Sequence, residues 1–282
     1  TPSNSSRRSP TRTRIRTAAA LLASLGPGDK TVVDALDRVR GKWSKKTSIR
    51  QDIHWAEFRQ FDELDDDAGR LRSARRMTAL APDSEFSQSF WTTALMRAGR
   101  LDEARRTILR RQSTNPQDDT LIHQLANLAV HQSDFDSAER LLRQLIKAGQ
   151  TDPRTYNKLA WIRLFQGPID DEDLGLALRA NSLSAFKNAS QLHTLAALYA
   201  ETGRVREALQ LLIKRLELLD AVEPTNIDWY LLGRIHEHFE LYDLARKSYQ
   251  KVELGRHERK ADSTHALAQK KLRALSQRKK GL

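Results

Sequence analysis

Two histidines one residue apart, His236 and His238, are the closest pair of side chains in this sequence that could bind a transition metal. Imidazole nitrogens are common ligands of zinc and copper, and two of them must point at the same ion. The surrounding residues predict a helix, in which positions two apart lie about 200° from one another around the axis. The pair therefore cannot share an ion, and because the sequence contains no cysteine, no His–Cys set replaces it. We predict that the protein binds neither a metal nor a cofactor.

Other signatures of catalysis are missing from the sequence. It contains no Gly-rich phosphate loop, no nucleophile elbow and, without cysteine, no thiol nucleophile. We therefore predict that the protein is not an enzyme.

Charged clusters could still bind ions. The acidic runs 65–67 and 170–173 could hold a cation, but acids just ahead of a helix are ordinarily favoured by its dipole, so we interpret both as helix starts. A group of arginines is typical either of a solvated basic helix face or of a phosphate site, and we favour the solvated face. These arginines are Arg97, Arg100, Arg105, Arg106, Arg110 and Arg111.

The helices that carry these residues repeat along the chain. Small turn residues recur at intervals of 34 to 36 residues, each eight residues after a large apolar one, and alanines follow three of the turns. A period in this range indicates helical hairpins that bury their apolar faces against their neighbours. The turn residues are Gly99, Ser133, Gly167 and Gly203, the large residues Trp91, Leu125, Leu159 and Leu195, and the alanines Ala104, Ala138 and Ala208.

The order of residue types within one period resembles the tetratricopeptide repeat. That pattern has a large residue, a small one, a turn residue, an alanine and a terminal proline, as in Trp91, Thr92, Gly99, Ala104 and Pro116. The resemblance implies an all-α fold, namely a right-handed superhelical solenoid of helix hairpins with a C-terminal capping helix.

Six segments follow from the repeat and from the composition. We predict a disordered basic segment, a basic amphipathic helix, a degenerate hairpin, an array of five repeat units, the capping helix and a basic tail. Their ranges are 1–28, 29–50, 51–84, 85–259, 260–276 and 277–282.

Two units depart from the repeat pattern. After Gly167, Pro168 and the acidic run intervene before the second helix, whose register the pattern leaves open. In the last unit Glu240 stands at the turn position. The capping helix is predicted to turn an apolar stripe inward and to leave Lys270, Lys271 and Arg273 outside. The stripe is Ala261, His265, Ala268, Leu272 and Leu275.

The C-terminal half carries a second resemblance. The stretch from Tyr156 through Asp228, Trp229 and Tyr230 to Leu275 is similar to the repeat arrays that follow transglutaminase-like domains in bacterial envelope proteins. The resemblance implies a repeat array of bacterial type. The activity of such a domain requires a nucleophilic cysteine, which this sequence lacks, so it is not carried over.

First-helix positions are the candidate binding residues. In tetratricopeptide arrays these helices line the concave side, so the resemblance implies a groove for a protein or peptide partner. Their side chains are rich in hydrogen-bonding groups, and asparagine can satisfy both donors and acceptors of a peptide backbone. The predicted groove residues are His123, Gln124, Asn127, Asn157, Lys158, His193, Thr194, Tyr230 and Arg234, with His131 and Trp161 on the same helices, Trp161 being assigned to the core.

The chaperone-tail clamp known in this family is not predicted. It requires Lys and Asn at set positions in successive units, and His123 stands where its first Lys would be.

The formal net charge of +12 is concentrated at the ends. Residues 1–50 contain 12 Lys and Arg against 3 acids, and residues 256–282 contain 9 against 2, whereas residues 51–255 contain 27 against 31. Basic tails can add weak, salt-sensitive attraction to nucleic acid or to an anionic membrane. No apolar run near a terminus is long enough to cross a bilayer, since the longest, 18–25, is far short of about 20 residues.

We therefore predict a non-catalytic scaffold or adaptor that binds proteins through its groove. The alternative is a helical-repeat RNA-binding or assembly protein that uses its basic termini. RNA-reading helical repeats use a small set of residue types at fixed positions to recognise bases, and the equivalent positions of this sequence do not share such a set. We expect a cytoplasmic location, although the Arg-rich and acid-poor first 28 residues are also typical of organellar or secretory targeting. The positions compared are Ser89, His123, Asn157, His193 and Tyr230.

Overall fold

The computed structural model of the chain describes residues 47–116, 118–149, 151–254 and 262–278, together with Asp34. Within these ranges the regular secondary structure is entirely α-helical, in thirteen helices. The predicted all-α class is confirmed. The predicted basic segment 1–28, most of the helix predicted at 29–50, and residues 279–282 of the basic tail lie outside the described residues.

The chain divides into two compact units, with the boundary after Arg110. From Thr47 onward the first unit contains three helices and most of a fourth, and the first of them begins at Thr47. The helices are α1 (Thr47–Glu63), α2 (Asp67–Leu80), α3 (Glu85–Arg97) and α4 (Leu101–Thr114), the last of which crosses the boundary.

Aromatic packing and one buried arginine hold the first unit together. Phe58 is buried, and its ring centroid lies 4.5 Å from that of Phe90. Arg70 is also buried and bonds carboxylates around the α1–α2 turn, among them Asp62 at 3.3 Å and Asp65 at 3.2 Å. The acidic run 65–67 thus serves a helix start and an internal ion pair, and Asp66 is the N-cap of α2.

The second unit contains the other nine helices of the described ranges. Successive helices contact one another from α5 to α13, and α9 also contacts α7 and α11, so first helices of neighbouring hairpins lie side by side. These helices are α5 (Asp119–His131), α6 (Phe135–Lys147), α7 (Pro153–Gln166), α8 (Asp171–Leu183), α9 (Ala189–Glu201), α10 (Val205–Leu218), α11 (Asp228–His238), α12 (Tyr242–Gln250) and α13 (Thr264–Arg278).

Four hairpin turns share one geometry. After α3, α5, α9 and α11 the turn residue has a positive φ, between 59° and 76°, and two backbone hydrogen bonds close a Schellman motif. After α3, for example, Gly99 N–H donates to Met96 and Arg100 N–H donates to Leu95. The four turn residues are Gly99, Ser133, Gly203 and Glu240.

The fifth turn of the series differs, as its sequence indicated. Gly167 has an extended backbone with φ 173°, because the residue before a proline is pushed away from the helical region. Asp170 then caps α8 in a reciprocal capping box with Asp173, which places the start of this helix at Asp171.

The small residues of the repeat are buried where helices meet. The alanines that lie five residues after these four turn residues are at most 1% exposed. Gly233 admits no side chain, because a Cβ there would lie 2.4 Å from Cε1 of Tyr249. Close helix contact therefore explains the alternation of large and small residues. The alanines are Ala104, Ala138, Ala208 and Ala245.

Helix α13 does more than cover the last hairpin. It contacts α11 and α12, and Leu267, Ala268 and Leu275 on it are buried. The prediction that Lys271 stays outside is wrong: its ammonium group bonds a carboxylate of α9, Glu201, at 2.9 Å. The stripe pattern could not show this, because the partner lies 70 residues earlier in the chain.

Candidate functional site

A cleft of about 510 Å³ opens in the second unit between α7, α9 and the first turn of α13. Pockets of this volume hold small ligands or short peptide segments. Most of its lining residues have a side chain that can hydrogen-bond, and Ile227 also lines it. It is therefore the candidate binding site of this unit.

One face of α7 forms the first wall. Its lining residues Arg154, Asn157, Lys158 and Trp161 are spaced three and four apart, so they project from the same side of the helix. Asp152 caps this helix by accepting the N–H of Arg154, and it also accepts the Arg154 guanidinium at 2.6 and 2.9 Å. These bonds hold the pKa of Asp152 below its ordinary value. The Arg154 side chain nevertheless remains 84% exposed.

Asn157 has an unsatisfied acceptor. Its Oδ1 is buried and has no hydrogen-bond partner among the described residues. A buried acceptor without a donor is costly, so this atom is a natural point of attachment for a ligand N–H or O–H group.

His193 on α9 forms the opposite wall. It is buried, its ring centroid lies 5.5 Å from that of Trp161, and Nε2 donates to the carbonyl oxygen of Ile227 at 3.2 Å. Burial lowers the pKa of His193 to about 4, so the ring is neutral at neutral pH. With Nε2 acting as donor, Nδ1 is an acceptor, and it has no partner in the part of the chain that the structure describes.

A buried ion pair lies close to this histidine. Arg215 of α10 donates to the carboxylate of Asp228 at 2.5 Å, and Thr225 donates to the same oxygen through its backbone and its hydroxyl. Asp228 is fully buried. The pair and its hydroxyl partner fix the chain on both sides of Ile227, which lines the cleft.

The third wall is formed by Asp262, Ser263 and Thr264, at the start of α13. The indole Nε1 of Trp161 donates to the backbone oxygen of Asp262 at 2.8 Å, across 101 residues. Ser263 and Thr264 are buried beside it, and Ser263 Oγ caps α13 by accepting the N–H of Ala266 at 3.1 Å. Trp161 thus packs against the apolar core cluster, in line with its predicted core position, and it also bonds the chain before α13 and lines the cleft.

An ionic cluster joins α9, α11 and α13. The carboxylate of Glu201 accepts hydrogen bonds from Tyr230 and Lys271 and pairs with Arg234 at 2.8 Å. Burial alone would raise the pKa of Glu201, but the charges of Arg234 and Lys271 outweigh it, so the pKa is lowered. Burial lowers the pKa of Lys271.

The nine predicted groove residues therefore occupy three different places. Asn157, Lys158, His193 and Thr194 line the cleft. Tyr230, which is fully buried, and Arg234 belong to the ionic cluster. The remaining three lie on α5 and do not line the cleft: His123, Gln124 and Asn127.

His123 links its helix to the next first helix. A hydrogen bond of 3.0 Å joins its Nε2 to Thr155 Oγ1 on α7, and burial lowers the pKa of the imidazole. Gln124 is buried and Asn127 is half-buried. Their role in partner binding stays a prediction.

Several other lining residues of the cleft were not predicted from the sequence. Arg154 could have been found, because it lies one turn before Asn157 and Lys158 on the same helix face. The contribution of Ser263 and Thr264 had no sequence signal, because it depends on where α13 folds back.

The histidine pair at the end of α11 separates as predicted. His236 Nδ1 lies 3.1 Å from Ser248 Oγ, whereas His238 lines a smaller pocket beside Glu201 and Glu237. Among the described residues, no group of three His, Cys, Asp or Glu side chains could hold a metal ion. The described helices likewise include none long and apolar enough to cross a membrane.

Comparison with known proteins gives a fold but no sequence relative. No protein-family model matches the sequence, and no curated protein matches it. Among solved structures, a tetratricopeptide repeat protein from Parabacteroides merdae is 14% identical with a TM-score of 0.58, over 95% of this chain and 100% of that one. This chain has the tetratricopeptide-repeat fold.

Other proteins with similar structures are larger. The human IFIT1 dimer with m7Gppp-AAAA is 16% identical with a TM-score of 0.60, over 95% of this chain and 64% of that one. The APC/C hetero-tetramer Cut9–Hcn1 is 14% identical with a TM-score of 0.55, over 89% of this chain and 46% of the matched one. At these identities the likeness shows the fold alone. The handedness of the repeat stack, its bacterial type and the predicted segment boundaries stay predictions.

Proposed function

We propose that this repeat protein is a non-catalytic scaffold that binds a segment of a protein partner in the cleft between α7, α9 and α13. The observation that carries the proposal is the set of hydrogen-bonding groups gathered there, four of them on first-helix positions of the repeat. No metal-ligating cluster among the described residues competes with this function.

The acceptors and cationic side chains that line the cleft suit a peptide. Asn157 Oδ1 and His193 Nδ1 are acceptors that a peptide N–H can satisfy. Lys158 and the exposed Arg154 provide cationic donors at the same wall. A peptide backbone offers both N–H and C=O groups at short intervals, so one segment can use both sets.

Charge favours a protein partner over nucleic acid for this surface. Residues 51–255 contain more acids than bases, so the array does not attract a phosphate backbone as a whole. Among the proteins of similar fold, the Cut9–Hcn1 hetero-tetramer is a protein assembly, which supports a scaffold role. The excess positive charge lies at the two ends of the sequence.

The test is a double substitution in the cleft. Asn157→Ala with Lys158→Ala should weaken binding of the partner recovered from the native host by roughly 5- to 150-fold, the equivalent of about 1–3 kcal/mol for lost hydrogen bonds in a desolvated site. Binding is measured by calorimetry with the purified partner, and circular dichroism confirms that both variants fold.

The matched control replaces two exposed residues of the same unit that do not line the cleft, as Arg179→Ala with Lys187→Ala. It should bind the partner like the unmodified protein. Equal affinity of all three proteins would remove the cleft from the binding surface.

A further inference from the structure

Two helix N-termini of the second unit lack the acid that other helices carry. From α2 to α12, every helix except α9 has Asp or Glu at its N-cap or in its first turn. Helix α9 is capped by Asn188 and has no acid in its first turn, and α13 is capped by Ser263 and has none there either. The positive end of a helix dipole is stabilised by a negative group beside it. At α9 and α13 neither the cap nor the first turn supplies that group.

Both of these N-termini open into the cleft described above. Ser190 and Gln191 from the first turn of α9 line it, and so does Thr264 from the first turn of α13. The two cap residues, Asn188 and Ser263, line it as well. Phosphate groups and other anions bind at helix N-termini, where backbone N–H groups and the dipole favour negative charge. The cleft therefore places two such ends beside one ligand.

The charged side chains of the cleft agree with an anionic ligand. Two cations of α7, Arg154 and Lys158, line the cleft, whereas Asp262 is the one acid among the described residues that line it. Asp152 pairs with Arg154 beside the cleft, but the Arg154 side chain remains 84% exposed. A ligand anion can therefore contact a cation and a helix N-terminus together.

Two buried side chains of the cleft have donor groups that the protein leaves unused. Thr264 is 3% exposed, and its hydroxyl has no hydrogen-bond partner within the ranges that the structure describes. Gln191 is also 3% exposed, and its Oε1 accepts from Ser184 Oγ at 2.5 Å, whereas its Nε2 has no partner in the same ranges. A buried donor without an acceptor is costly, so each of these groups can gain from an acceptor oxygen of a ligand.

We propose that the cleft binds the phosphoryl group of a phosphorylated serine or threonine in the partner segment. The proposal rests on the scaffold function proposed above and names the chemistry of the segment. A phosphoryl group carries a charge of about −1.5 to −2 at pH 7 and has three acceptor oxygens. It can therefore accept from Gln191 Nε2, from Thr264 Oγ1 and from a cation of α7 at once. A carboxylate has a single charge and one oxygen fewer, so it satisfies this set less completely.

The charge of the array favours a phosphorylated peptide over a nucleic acid. Residues 51–255 contain 31 acids against 27 Lys and Arg, so a chain of phosphates meets net repulsion beyond the cleft. A peptide can bring its negative charge to one point, and its backbone N–H groups can use the buried acceptor Asn157 Oδ1.

The probe is a fluorescein-labelled peptide library with a central phosphoserine between degenerate positions. Two comparison libraries have serine or glutamate at the centre. In an anisotropy assay with the full chain, the phosphoserine library should bind about 10-fold more tightly than either of the others. Absence of binding, or equal affinity for the phosphoserine library and a comparison library, overturns the proposal. A 5′-phosphorylated oligoribonucleotide that binds more tightly than the phosphoserine library assigns the cleft to nucleic acid instead.

The first variant gives α9 the acid that other helices have. Ser190→Glu places a carboxylate in the first turn, so it should weaken binding of the phosphoserine library by about 10-fold and raise the urea midpoint of unfolding. The matched control is Gln210→Glu, which adds the same charge at an exposed position of α10 that does not line the cleft. It should bind the library like the unmodified chain. Equal effects of the two substitutions on binding contradict the site.

A second variant tests the buried hydroxyl. Thr264→Val removes Oγ1 at nearly constant volume, so it should weaken binding of the phosphoserine library by about 5-fold and leave binding of the serine library unchanged. If Thr264→Val leaves the affinity for phosphoserine unchanged, the hydroxyl does not contact the phosphoryl group and the proposed geometry is wrong.

Phosphatase treatment of the native partner separates this inference from the scaffold function. The treated partner should bind the chain more weakly than the untreated partner. If treatment changes nothing while Asn157→Ala with Lys158→Ala still weakens binding, the scaffold function stands and the phosphoryl site is wrong. If the phosphoserine library binds as expected but those two substitutions leave partner affinity unchanged, the cleft is not the site of the scaffold.

Discussion

Packing leaves no room for a side chain at Gly233. A Cβ at this position would lie 2.4 Å from Cε1 of the buried Tyr249, which cannot move without disturbing the contact between α11 and α12. We expect Gly233→Ala to lower the free energy of unfolding by about 1–3 kcal/mol, because overpacking a tight contact forces the helices apart. Urea denaturation of the two proteins measures the difference.

The control for this substitution is another helical glycine, Gly175 of α8. A Cβ there meets no atom within 4 Å, and the residue is exposed. Gly175→Ala should stabilise by about 0.5–1 kcal/mol through helix propensity alone. Stabilisation by both substitutions would show that the packing at Gly233 is looser than described.

His193 gives the protein a pH-dependent stability. Its pKa in the folded chain is about 4 because it is buried, whereas an unfolded histidine titrates near 6.5, so the unfolded chain binds the proton first. The stability is complete above about pH 6.5 and is lost progressively as the pH falls toward 4, by up to about 3 kcal/mol. His193→Gln should remove this part of the acid dependence.

The measurement is urea unfolding of both proteins at several values between pH 7 and pH 4. The difference between their unfolding free energies should change across that interval and stay constant above it. Parallel curves throughout would show that His193 does not resist protonation in the folded state.

Repeat positions predicted where some side chains lie but not where others lie. Asn157, Lys158, His193 and Thr194 were predicted as binding residues from their repeat positions, and they line one cleft. Lys271 was predicted to lie outside, because a charge at the border of an apolar stripe is usually solvated. Its carboxylate partner, Glu201, is brought to it only by the tertiary fold, which periodicity does not encode.

The turn residue at the end of each first helix adopts a left-handed backbone conformation in four of the hairpins. Glu240 adopts φ 59° at a turn position where Gly99 and Gly203 have φ 70° and 76°. A non-glycine residue in this left-handed region carries a penalty of about 1–2 kcal/mol, which glycine avoids at a smaller entropic cost in the unfolded chain. We expect Glu240→Gly to raise the free energy of unfolding by about 0.5–1 kcal/mol, measured by thermal and urea denaturation.

The reverse substitution at an equivalent turn is the comparison. Gly203→Ala should destabilise, because it places a Cβ at φ 76° and 3.2 Å from the ring of His238. If Gly203→Ala is neutral, the left-handed turn is not a constraint at this position of the repeat.

Helix positions followed from the sequence more reliably than helix ends. Period and turn residues predicted the hairpins, and Gly167 before Pro168 predicted the irregular one. The capping box between Asp170 and Asp173 sets the start of α8. The sequence alone did not identify the cap, because three of the four consecutive acids are aspartates that could each cap a helix.

Over the whole molecule, the sign of the net charge differs between the array and the ends of the sequence. Residues 1–50 and 256–282 carry the positive excess, and residues 51–255 carry slightly more acids than bases. We expect any affinity for single-stranded RNA to be weak and to fall steeply between 50 and 200 mM salt, as phosphate contacts by Lys and Arg do. Deleting 1–28 and 277–282 should abolish most of it in an anisotropy assay, whereas affinity retained by the trimmed chain would favour the RNA-binding alternative.

The bond between Trp161 and the backbone of Asp262 affects the order in which the second unit unfolds. A linear stack of hairpins frays from its free end, because the last hairpin has a neighbour on one side only. Here Asp262, next to α13, is bonded to α7, and Lys271 on α13 is bonded to α9, so helices α7 to α13 form a closed circuit of contacts. The C-terminal hairpin cannot loosen without breaking that circuit, and so the last three hairpins should lose their amide protection together rather than one after another.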